Sequence, residues 1–591
     1  MDFRLLSAGE HAVFEAALLE RTKPGELMER AGAAVVHEID RQDLFKEDVR
    51  ALVLCGPGNN GGDGWVIARR LHEAGRPVHV WSFARTEELR GDAREAARRA
   101  LTADVTFEEI TDEDIFRHAI KELPVSTKQF DNNKFPTIMN GKLVVIDALL
   151  GSGVNRPIDG VLSDAVGFCN GRWTDTVGAA RQKVISVDIP SGLSADSAAQ
   201  PGVYVLADLT VAILSVRLAH LVEPAASAVG ELACYDLEDK FVPGSEEWFD
   251  EEVDVAFQLA RDDVFEKCKG GVTVLSHEGD WPHFNFSRDR KMHKGMAGRI
   301  VIVAGSAGKT GAAQLAGLAA LRSGAGLVTL AVPSDCVTQV THVPDYMTLA
   351  LPANDGMVTG DGVDGLFELN PDVIALGPGL GLGDGPRRLI EQVLPKANEA
   401  GIKVVLDADA LSVFAGEKSR ALRGYGGSTL VITPHPGELS RLTGLSVEEI
   451  QADRVTAARR CALEWNISVV LKGFQTIIAS PSDDEIEADI SINLSGNPGL
   501  ATGGTGDVLT GMIAAMSGRG PFACEQAVWL HGYVGDLAAA EVGETSLIAS
   551  DLIRLLPQAL QEARCRQFSV PSHGLKNILR SLQYVKAGLK H

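Results

Sequence analysis

The sequence predicts an α/β protein with two domains, each built on a mostly parallel sheet. The chain has 591 residues, which is too long for one ordinary hydrophobic core. Its 62 glycines recur between short β-rich runs and Ala-rich amphipathic stretches, which is the pattern of βα units. This pattern occupies two long regions, from about residue 25 to 235 and from about 292 to 560.

Each β-rich run is expected to be a buried strand because it is short, apolar and followed by a turn signal. In the first region these runs lie at 51–55, 78–83, 143–146, 184–187 and 209–214. In the second region they lie at 300–304, 327–332, 373–376, 404–406, 429–432, 468–471 and 476–479. The amphipathic stretches between the runs supply the helical crossovers that parallel strands need.

The domain boundaries are expected where this periodicity stops. We predict a first domain at 1–240, an acidic linker at 241–291, a second domain at 292–561 and a basic tail at 562–591. Polar, aromatic and proline residues at 124–140 predict a surface insertion in the first domain.

The charge and the hydropathy exclude several classes of partner. With 56 Lys and Arg against 79 Asp and Glu, the formal net charge is -23, which disfavours binding to nucleic acid phosphates. Neither a secretory signal nor a run of about twenty uncharged apolar residues is evident, so no membrane partner is expected. The expectation is a cytoplasmic protein, although the charge alone names no partner; the oligomeric state, a homo-oligomer included, stays open.

A glycine-rich turn follows the first run. Residues 56–61 fit the dinucleotide pattern G-x-G-x-x-G between a strand and a helix. An NAD-dependent oxidoreductase would carry an acidic residue after the next strand, but Arg85 stands there, so the glycines alone indicate a tight βα turn. Asn59, Asn60 and Asp63 crowd the same turn with polar side chains, which indicates contacts to a ligand or a cation.

Two further strands of the first region end in acidic residues. Asp147 and Asp188 are each followed by a turn rich in glycine and serine, at 151–153 and 190–192. One such acid could serve as a helix cap, but three polar turns together favour a site, because ligands of open α/β sheets bind beyond the carboxyl ends of the strands.

Four segments, at 27–32, 57–64, 147–153 and 188–193, together closely resemble the NAD(P)H-hydrate epimerase family. Members interconvert the R and S hydrates of NADH and NADPH, in which water has added at C6 of the nicotinamide ring. The resemblance implies a Rossmann-like, doubly wound sheet for the first domain.

The resemblance also implies residue roles. Asp188 would contact the substrate near the reacting carbon as the catalytic group, and a potassium ion would be bound by Asn60, Asp147 and Ser191. The hydrate (NADHX or NADPHX) would be held by two loops, which comprise Asn59, Asn60, Gly61, Gly62 and Asp63, and Gly151, Ser152, Gly153, Val154, Asn155, Arg156 and Pro157. Where the family tends to have a lysine, this chain has Arg217, which keeps the charge but does not readily give up a proton.

The second region contains a glycine-rich stretch at 496–511 that runs into a predicted helix. Its N–H groups and the positive end of the helix dipole would stabilise phosphate charge. Asp507 is expected at the start of that helix, where a capping role and a chemical role are equally open. A P-loop at 305–310 is rejected because Walker A requires glycine where Val303 stands.

Polar residues follow other strands of the second region. His435, Glu438 and Lys472 are expected at the same sheet edge as Asp507, although a lone histidine after a strand is usually structural.

The glycines at 377–379, the segments at 433–438 and 472–476 and the Gly-Thr-Gly-Asp motif ending at Asp507 resemble the ribokinase-like fold. With 293–295, 305–306 and 311–313 the region resembles more closely the nucleotide-dependent NAD(P)H-hydrate dehydratase family.

The resemblance implies that Ala312, Gly379, His435 and Asp507 contact the hydrate. It implies nucleotide contacts at Lys472, Gly473, Phe474, Gln475, Thr476 and Gly506. Asp507 would be the catalytic base, and Mg²⁺ would accompany ADP or ATP, with Glu438 as a water-mediated contact. The alternative is a ribokinase-type kinase of small molecules, fused to a non-catalytic nucleotide-binding module.

Overall fold

The structure, a computed structural model, describes residues 4–5, 7–20, 22–45, 49–122, 142–154, 156–171, 183–235, 237, 272–275, 291–425, 429–482, 487–517 and 523–565. These residues form two compact units, one from residue 5 to 237 and one from 272 to 565 that also takes in residue 4. The predicted α/β class with two domains is confirmed. The boundaries at 240, 291 and 561 stay predictions, and residues 124–140, 241–271 and 566–591 lie outside the described residues.

The first unit is built on a seven-stranded sheet in which all neighbouring strands run parallel, in the order β4-β3-β2-β5-β6-β7-β8. After β1 (Arg4–Leu5), which belongs to the other sheet, the strands are β2 (Val49–Cys55), β3 (Val78–Ser82), β4 (Thr106–Glu109), β5 (Lys142–Ala148), β6 (Lys183–Val187), β7 (Leu209–Ile213) and β8 (Glu231–Tyr235). The five predicted strands are confirmed, whereas β4 and β8 were not predicted. β4 carries two glutamates and is exposed or half-buried, so it lacks the apolar signal of a central strand.

Helices cover both faces of this sheet. They are α1 (Ala8–Leu19), α2 (Glu26–Arg41), α3 (Asn59–Glu73), α4 (Gly91–Thr102), α5 (Glu113–Glu122), α6 (Gly160–Cys169) and the single turn α7 (Leu218–Leu221). Helices α2, α3 and α4 pack on one core with the strands, and α5 and α6 pack on a second core across the sheet. Because apolar residues face both cores, the central strands are buried on both faces.

The second unit is built on an eleven-stranded sheet in the order β1-β9-β20-β19-β18-β17-β16-β15-β10-β11-β12. Its further strands are β9 (Val272–Leu275), β10 (Arg299–Val303), β11 (Leu327–Pro333), β12 (Met347–Leu351), β15 (Val373–Leu376), β16 (Lys403–Leu406), β17 (Leu430–Ile432), β18 (Ser468–Leu471), β19 (Ile477–Pro481) and β20 (Ala488–Asn493), with β13 (Ala353–Asn354) and β14 (Met357–Val358) as a separate hairpin. The seven predicted strands are confirmed. Strand β9 lies inside the segment predicted as linker and pairs with β20.

The helices of the second unit are α8 (Thr310–Arg322), α9 (Val337–Val340), α10 (Val363–Glu368), α11 (Asp384–Glu399), α12 (Pro436–Thr443), α13 (Val447–Ala452), α14 (Arg454–Trp465), α15 (Thr505–Met516), α16 (Ala523–Val542) and α17 (Ala549–Cys565). One large core joins α8, α15, α16 and α17 to one face of the sheet. Helices α8 and α15 pack closely, since a Cβ on Gly511 would lie 2.1 Å from the carbonyl oxygen of Ala316. No described helix is both long enough and apolar enough to cross a bilayer.

Both sheets reverse their winding direction between two neighbouring strands. In the first sheet the reversal lies between β2 and β5, and in the second it lies between β10 and β15. Loops that follow such strand pairs diverge and leave a crevice at the carboxyl ends, which is where open α/β sheets bind ligands. Each unit therefore carries one expected site position, fixed by topology.

Candidate functional sites

A cavity of about 1030 Å³ opens at the reversal point of the first sheet. The loops after β2 and β5, together with Asp188 directly after β6, form much of its wall. The residues predicted to hold the hydrate that line this cavity are Asn59, Asn60, Asp63, Gly151, Ser152, Gly153, Val154, Arg156, Pro157 and Asp188.

Two of the predicted substrate contacts, Gly61 and Gly62, do not line the cavity. A Cβ on Gly61 would lie 1.9 Å from the carbonyl oxygen of Gly56, and a Cβ on Gly62 would lie 2.6 Å from the Met28 side chain. Both glycines therefore have a packing role, because they let α3 approach its neighbours. Asn155 lies outside the described residues.

Asp188 has a strained backbone at the cavity wall. Its φ of 62° is in the left-handed region, which residues with a side chain rarely adopt. The carbonyl of Val211 accepts a 2.8 Å hydrogen bond from the Asp188 N–H, and the Ile213 N–H lies 3.4 Å from Oδ1 of Asp188. Strand β7 thus fixes the carboxylate, and strain of this kind, about 1–3 kcal/mol, is typical of functional positions.

Arg217 lies behind Asp188 and is fully buried. Its Nη2 is 3.6 Å from Oδ1 of Asp188, while none of its three guanidinium nitrogens has a hydrogen-bond partner among the described residues. A buried cation without hydrogen bonds is costly unless a charge balances it. The carboxylate of Asp188 is the group that provides this balance, so Arg217 holds a negative charge at the cavity wall.

Asp147 and Ser191 form a buried hydrogen-bonded pair. Oδ1 of Asp147 accepts a 2.6 Å hydrogen bond from the Ser191 hydroxyl, and Oδ2 accepts from the Ser191 N–H at 2.9 Å and from the Ser186 hydroxyl at 2.8 Å. Burial raises the pKa of Asp147, although these hydrogen bonds oppose the shift. The pair joins the loops after β5 and β6, since Ser191 also accepts from the Leu150 N–H at 2.9 Å.

Asn60 is buried in the first turn of α3, and neither its side-chain oxygen nor its side-chain nitrogen has a partner among the described residues. A Cβ on Gly151 would lie 3.4 Å from the Asn60 Cβ and 3.7 Å from Oδ2 of Asp188. A buried amide without protein partners is rare in folded proteins and is typical of a position that contacts a ligand, an ion or water. This observation favours a bound group beside Asn60.

Asp63 and Glu15 are the cavity carboxyls whose surroundings favour the protonated form. Burial raises the pKa of Asp63 well above its ordinary value, and the charges of Asp188 and Glu15 add to this shift. Burial and the charge of Asp188 likewise raise the pKa of Glu15. The cavity thus combines carboxyls that favour a bound proton with Asp188, which faces a fixed cation.

The second candidate site is organised around Asp407, which follows β16 and was not predicted. Asp407 is 1% exposed, and it accepts hydrogen bonds from Nζ of Lys472 at 2.6 Å and from the hydroxyls of Thr433 at 2.7 Å and Thr510 at 2.6 Å. Burial alone would raise the pKa of Asp407, but the ammonium of Lys472 and these hydrogen bonds hold it below its ordinary value. Asp407, like Asp147, is an acidic residue at the end of an apolar run. This sequence signal could have identified it.

Lys472 connects the predicted residues of this site. Burial alone would lower its pKa, but Asp407 and Glu438, whose Oε2 lies 3.8 Å from Nζ, raise it. A Cβ on Gly506 would lie 3.7 Å from the same ammonium. Lys472 is thus a fixed positive charge beside the glycine-rich loop, as a phosphate-binding site requires.

Asp507 lies in the first turn of α15 but is not its N-cap. Gly504 occupies the cap position with a φ of 93°, so the capping role considered for Asp507 is wrong. Burial raises the pKa of Asp507 to about 6, Asp407 and Asp409 add to the shift, and Lys472 opposes it. A carboxyl with this pKa is ionised in most molecules at pH 7 yet basic enough to accept a proton.

His435 is the N-cap of α12. Its Nδ1 accepts hydrogen bonds from the N–H groups of Gly437 at 3.0 Å and Glu438 at 3.3 Å, and Oε2 of Glu438 accepts from the His435 N–H at 2.8 Å. Burial lowers the pKa of His435, and the charge of Lys472 contributes. His435 is therefore neutral at pH 7, with the tautomer that carries hydrogen on Nε2.

The loop from Lys472 to Thr476 is held by Arg454. The guanidinium donates to the carbonyl oxygens of Leu471 at 3.0 Å, of Gln475 at 3.3 Å and of Phe474. Phe474 is 61% exposed, although aromatic side chains are usually buried. Five of the six residues that were predicted to bind the nucleotide therefore form one anchored loop.

The remaining predicted contacts, Ala312 and Gly379, lie together across the reversal point of the second sheet. A Cβ on Gly379 would lie 3.1 Å from the Ala312 Cβ and 2.8 Å from the carbonyl oxygen of Lys309. The Ser306 hydroxyl donates to the Gly379 carbonyl oxygen at 2.8 Å. Lys309 reaches Asp409 at 3.4 Å, so the loops after β10, β15 and β16 meet here.

Comparisons with known proteins match both domains of the chain. A family model described as NAD(P)H-hydrate dehydratase matches residues 300–558, and one described as YjeF-related protein N-terminus matches residues 24–219. The chain is 34% identical over 559 residues to the bifunctional NAD(P)H-hydrate repair enzyme Nnr of Moorella thermoacetica, covering 93% of this chain and 94% of the relative. It is 32% identical over 537 residues to the enzyme of the same name from Escherichia coli K12, covering 90% and 88%.

A solved structure, the ADP/ATP-dependent NAD(P)H-hydrate dehydratase of Bacillus subtilis co-crystallised with ATP and Mg²⁺, is 34% identical. It covers 47% of this chain and 94% of that chain, with a TM-score of 0.40. The full-length relatives establish the assignment, because their similarity extends across both domains at more than 30% identity. The chain belongs to the family of bifunctional NAD(P)H-hydrate repair enzymes.

Proposed function

We propose that the first domain epimerises the R and S hydrates of NADH and NADPH, and that the second domain dehydrates the S hydrate at the expense of ADP or ATP. One observation carries the proposal. In each domain, residues that sequence resemblance assigned to one reaction lie together at the strand ends, around a carboxyl group suited to proton transfer. The substrates are small molecules, and we place the protein in the cytoplasm without a nucleic acid or membrane partner.

In the first domain, Asp188 is the proposed catalytic group. Epimerising a carbinolamine carbon requires its bond to nitrogen or to oxygen to break and to re-form on the opposite face, which needs a proton acceptor and a proton donor. Asp188, balanced by Arg217 at 3.6 Å, accepts the proton. Asp63, whose pKa is raised by burial, supplies one. The two carboxyls line the same cavity, so neither step needs bulk water.

Asn60 of the first cavity and the buried pair of Asp147 and Ser191 fit a potassium ion. The unpartnered oxygen of Asn60, the carboxylate of Asp147 and the hydroxyl of Ser191 are hard oxygen ligands of the kind that such cations prefer. Potassium would neutralise buried charge and hold together the loops that carry these residues. The other reading, a hydrogen-bonded network without a cation, accounts for Asp147 and Ser191 but leaves the Asn60 amide without partners.

In the second domain, Asp507 is the proposed catalytic base. It takes the proton of the C6 hydroxyl while that oxygen forms a bond to the terminal phosphorus of the nucleotide, and AMP leaves from ADP or ADP leaves from ATP. The N–H groups at the start of α15 and the ammonium of Lys472 stabilise the phosphate charge. The ring nitrogen lone pair then expels phosphate from C6, and loss of a proton from C5 restores the dihydropyridine ring.

The acidic residues of the second site fit a phosphate-bound Mg²⁺. No group of three or more His, Cys, Asp or Glu side chains able to hold a metal by themselves occurs in the described part of the chain. This fits an ion held mainly by nucleotide phosphates and water, with one or two protein carboxylates. Glu438, 11% exposed and 3.8 Å from Lys472, would contact it through water.

The test supplies the purified protein with a mixture of R and S hydrates of NADH, with ADP or ATP, and Mg²⁺. We expect the absorbance of the reduced nicotinamide to return and phosphate to be released in equal amounts. Accumulation of a stable phosphorylated product would instead identify a small-molecule kinase. No effect of the nucleotide on either hydrate would refute the proposal for the second domain.

A further inference from the structure

Helix α1 contributes side chains to the first cavity. It precedes the segment that the family model matches, which begins at residue 24. The Ser7 hydroxyl and the Glu10 carboxylate form a capping box at the start of α1, and Oδ1 of Asp196 accepts a 2.5 Å hydrogen bond from the Ala8 N–H. His11 and Glu15, four residues apart and so on one helix face, both line the cavity. The helix is thus fixed at its start and presents two polar side chains to the site.

His11 has one ring nitrogen in use and one without a partner. The side chain is 7% exposed and forms a hydrogen bond with the backbone of Ile213 that raises its pKa, as donation by the ring to a carbonyl does. Nε2 is buried and has no hydrogen-bond partner among the described residues. Nδ1 therefore carries the hydrogen, and Nε2 offers a lone pair.

The charges around His11 keep it neutral. Burial lowers its pKa to about 4, the guanidinium of Arg217 contributes, and the carboxylate of Asp188 opposes the shift. Burial also lowers the pKa of His220 to about 4, and the charges of Asp188 and Arg217 act on it as they do on His11. Glu15, with a raised pKa, is the other titratable group of α1 on this cavity. At pH 7 the ring of His11 is thus a hydrogen-bond acceptor beside Asp188.

We propose that His11 is a further substrate contact of the first domain: its Nε2 accepts a hydrogen bond from the C6 hydroxyl of the hydrate and holds that hydroxyl against Asp188. The inference rests on the proposed epimerisation. The C6 hydroxyl is the donor that distinguishes the hydrate from intact NADH or NADPH. An acceptor that is otherwise buried without a partner favours the ligand that brings a donor and disfavours the ligand that lacks one.

The test compares His11→Leu, of similar size but without an acceptor, with His11→Gln, which retains an amide group near the Nε2 position. The control is His79→Gln, since His79 in β3 is also a histidine with a pKa lowered by burial but does not line the cavity. Interconversion of purified R and S hydrates is followed without nucleotide, so the second domain does not contribute. Dehydration of the S hydrate and the calorimetric transitions are measured on the same full-length preparations.

We expect His11→Leu to lower kcat/KM for epimerisation about 100-fold, mostly through kcat, because the hydroxyl proton moves in the reaction. The kcat/KM of His11→Gln should stay within about tenfold of the wild-type value. The kcat/KM of His79→Gln should equal the wild-type value. Dehydration should be unchanged in all three variants. If His11→Leu unfolds the first domain, His11→Ala takes its place in the comparison with His11→Gln.

Two outcomes overturn the inference. One is wild-type epimerisation by a folded His11→Leu protein, and the other is an equal loss in His11→Gln and His11→Leu, which would assign His11 a packing role. A wild-type protein that does not epimerise at all would refute the proposed function of the first domain instead.

Discussion

Asp407→Asn tests the buried charge network that supports the second site. Asp407 is 1% exposed. Its carboxylate forms an ion pair with Lys472 at 2.6 Å and accepts hydrogen bonds from two threonine hydroxyls. Removing one member of a buried ion pair costs about 3–5 kcal/mol, because the partner keeps its desolvation penalty. Asparagine keeps one acceptor oxygen, and Glu438 at 3.8 Å still balances part of the lysine charge. We therefore expect a loss of about 2–4 kcal/mol.

The assay is urea unfolding of the full-length chain, followed through the transition of the second domain, with thermal unfolding by calorimetry as a second measure. Asp384→Asn is the matched control, since its pair with Arg387 at 2.7 Å is exposed and is expected to contribute less than about 1 kcal/mol. The double variant Asp407→Asn with Lys472→Met should lose less than the sum of the single losses, because it removes both charges. A loss for Asp407→Asn no larger than that of Asp384→Asn would refute the reasoning.

Four further results are expected. The rate of dehydration should fall about tenfold for each pH unit below about 6, because Asp507, whose pKa is raised to about 6, must be ionised to accept a proton. A rate that stays constant down to pH 5 would show that another group is the base. Arg454→Met should raise the KM for ADP severalfold with a smaller change in kcat, because the loop that contains Phe474 loses its anchor, and unchanged kinetics would contradict this. In calorimetry, Gly511→Ala should cost about 1–3 kcal/mol through a 2.1 Å contact with a backbone carbonyl, whereas Gly311→Ala, which faces open space, should be neutral or stabilising. Asn60→Leu should remove any acceleration of epimerisation by K⁺ over choline chloride, and a retained acceleration would place the ion elsewhere.

The fold and much of both sites could be predicted because their signals are local. The apolar runs before Asp147 and Asp188 identify strands, and acids at strand ends lie at one sheet edge whatever the rest of the fold does. Edge strands such as β4 escaped prediction because half-exposed strands lack a continuous apolar run.

Asp407 had a local signal that was overlooked, whereas two other unpredicted features depend on tertiary packing. His11 belongs to an ordinary helix, and the chain places it on the cavity through contacts with residues that are distant in sequence, such as Asp196 and Ile213. The complete burial of Arg217 likewise has no local signal, because arginine is usually exposed. Asp507 was expected as a possible cap because sequence fixes a helix start to within one or two residues at best.

The central claim, that two separate sites process one damaged coenzyme in succession, is tested most directly by complementation between two variants. Asp188→Asn should dehydrate the S hydrate but leave the R hydrate to its uncatalysed epimerisation, and Asp507→Asn should epimerise without dehydrating. We predict that the two variant proteins mixed in one tube, with ADP and Mg²⁺, convert pure R hydrate completely to NADH at a rate that neither reaches alone. A mixture no faster than Asp188→Asn by itself, with both proteins folded, would contradict the account.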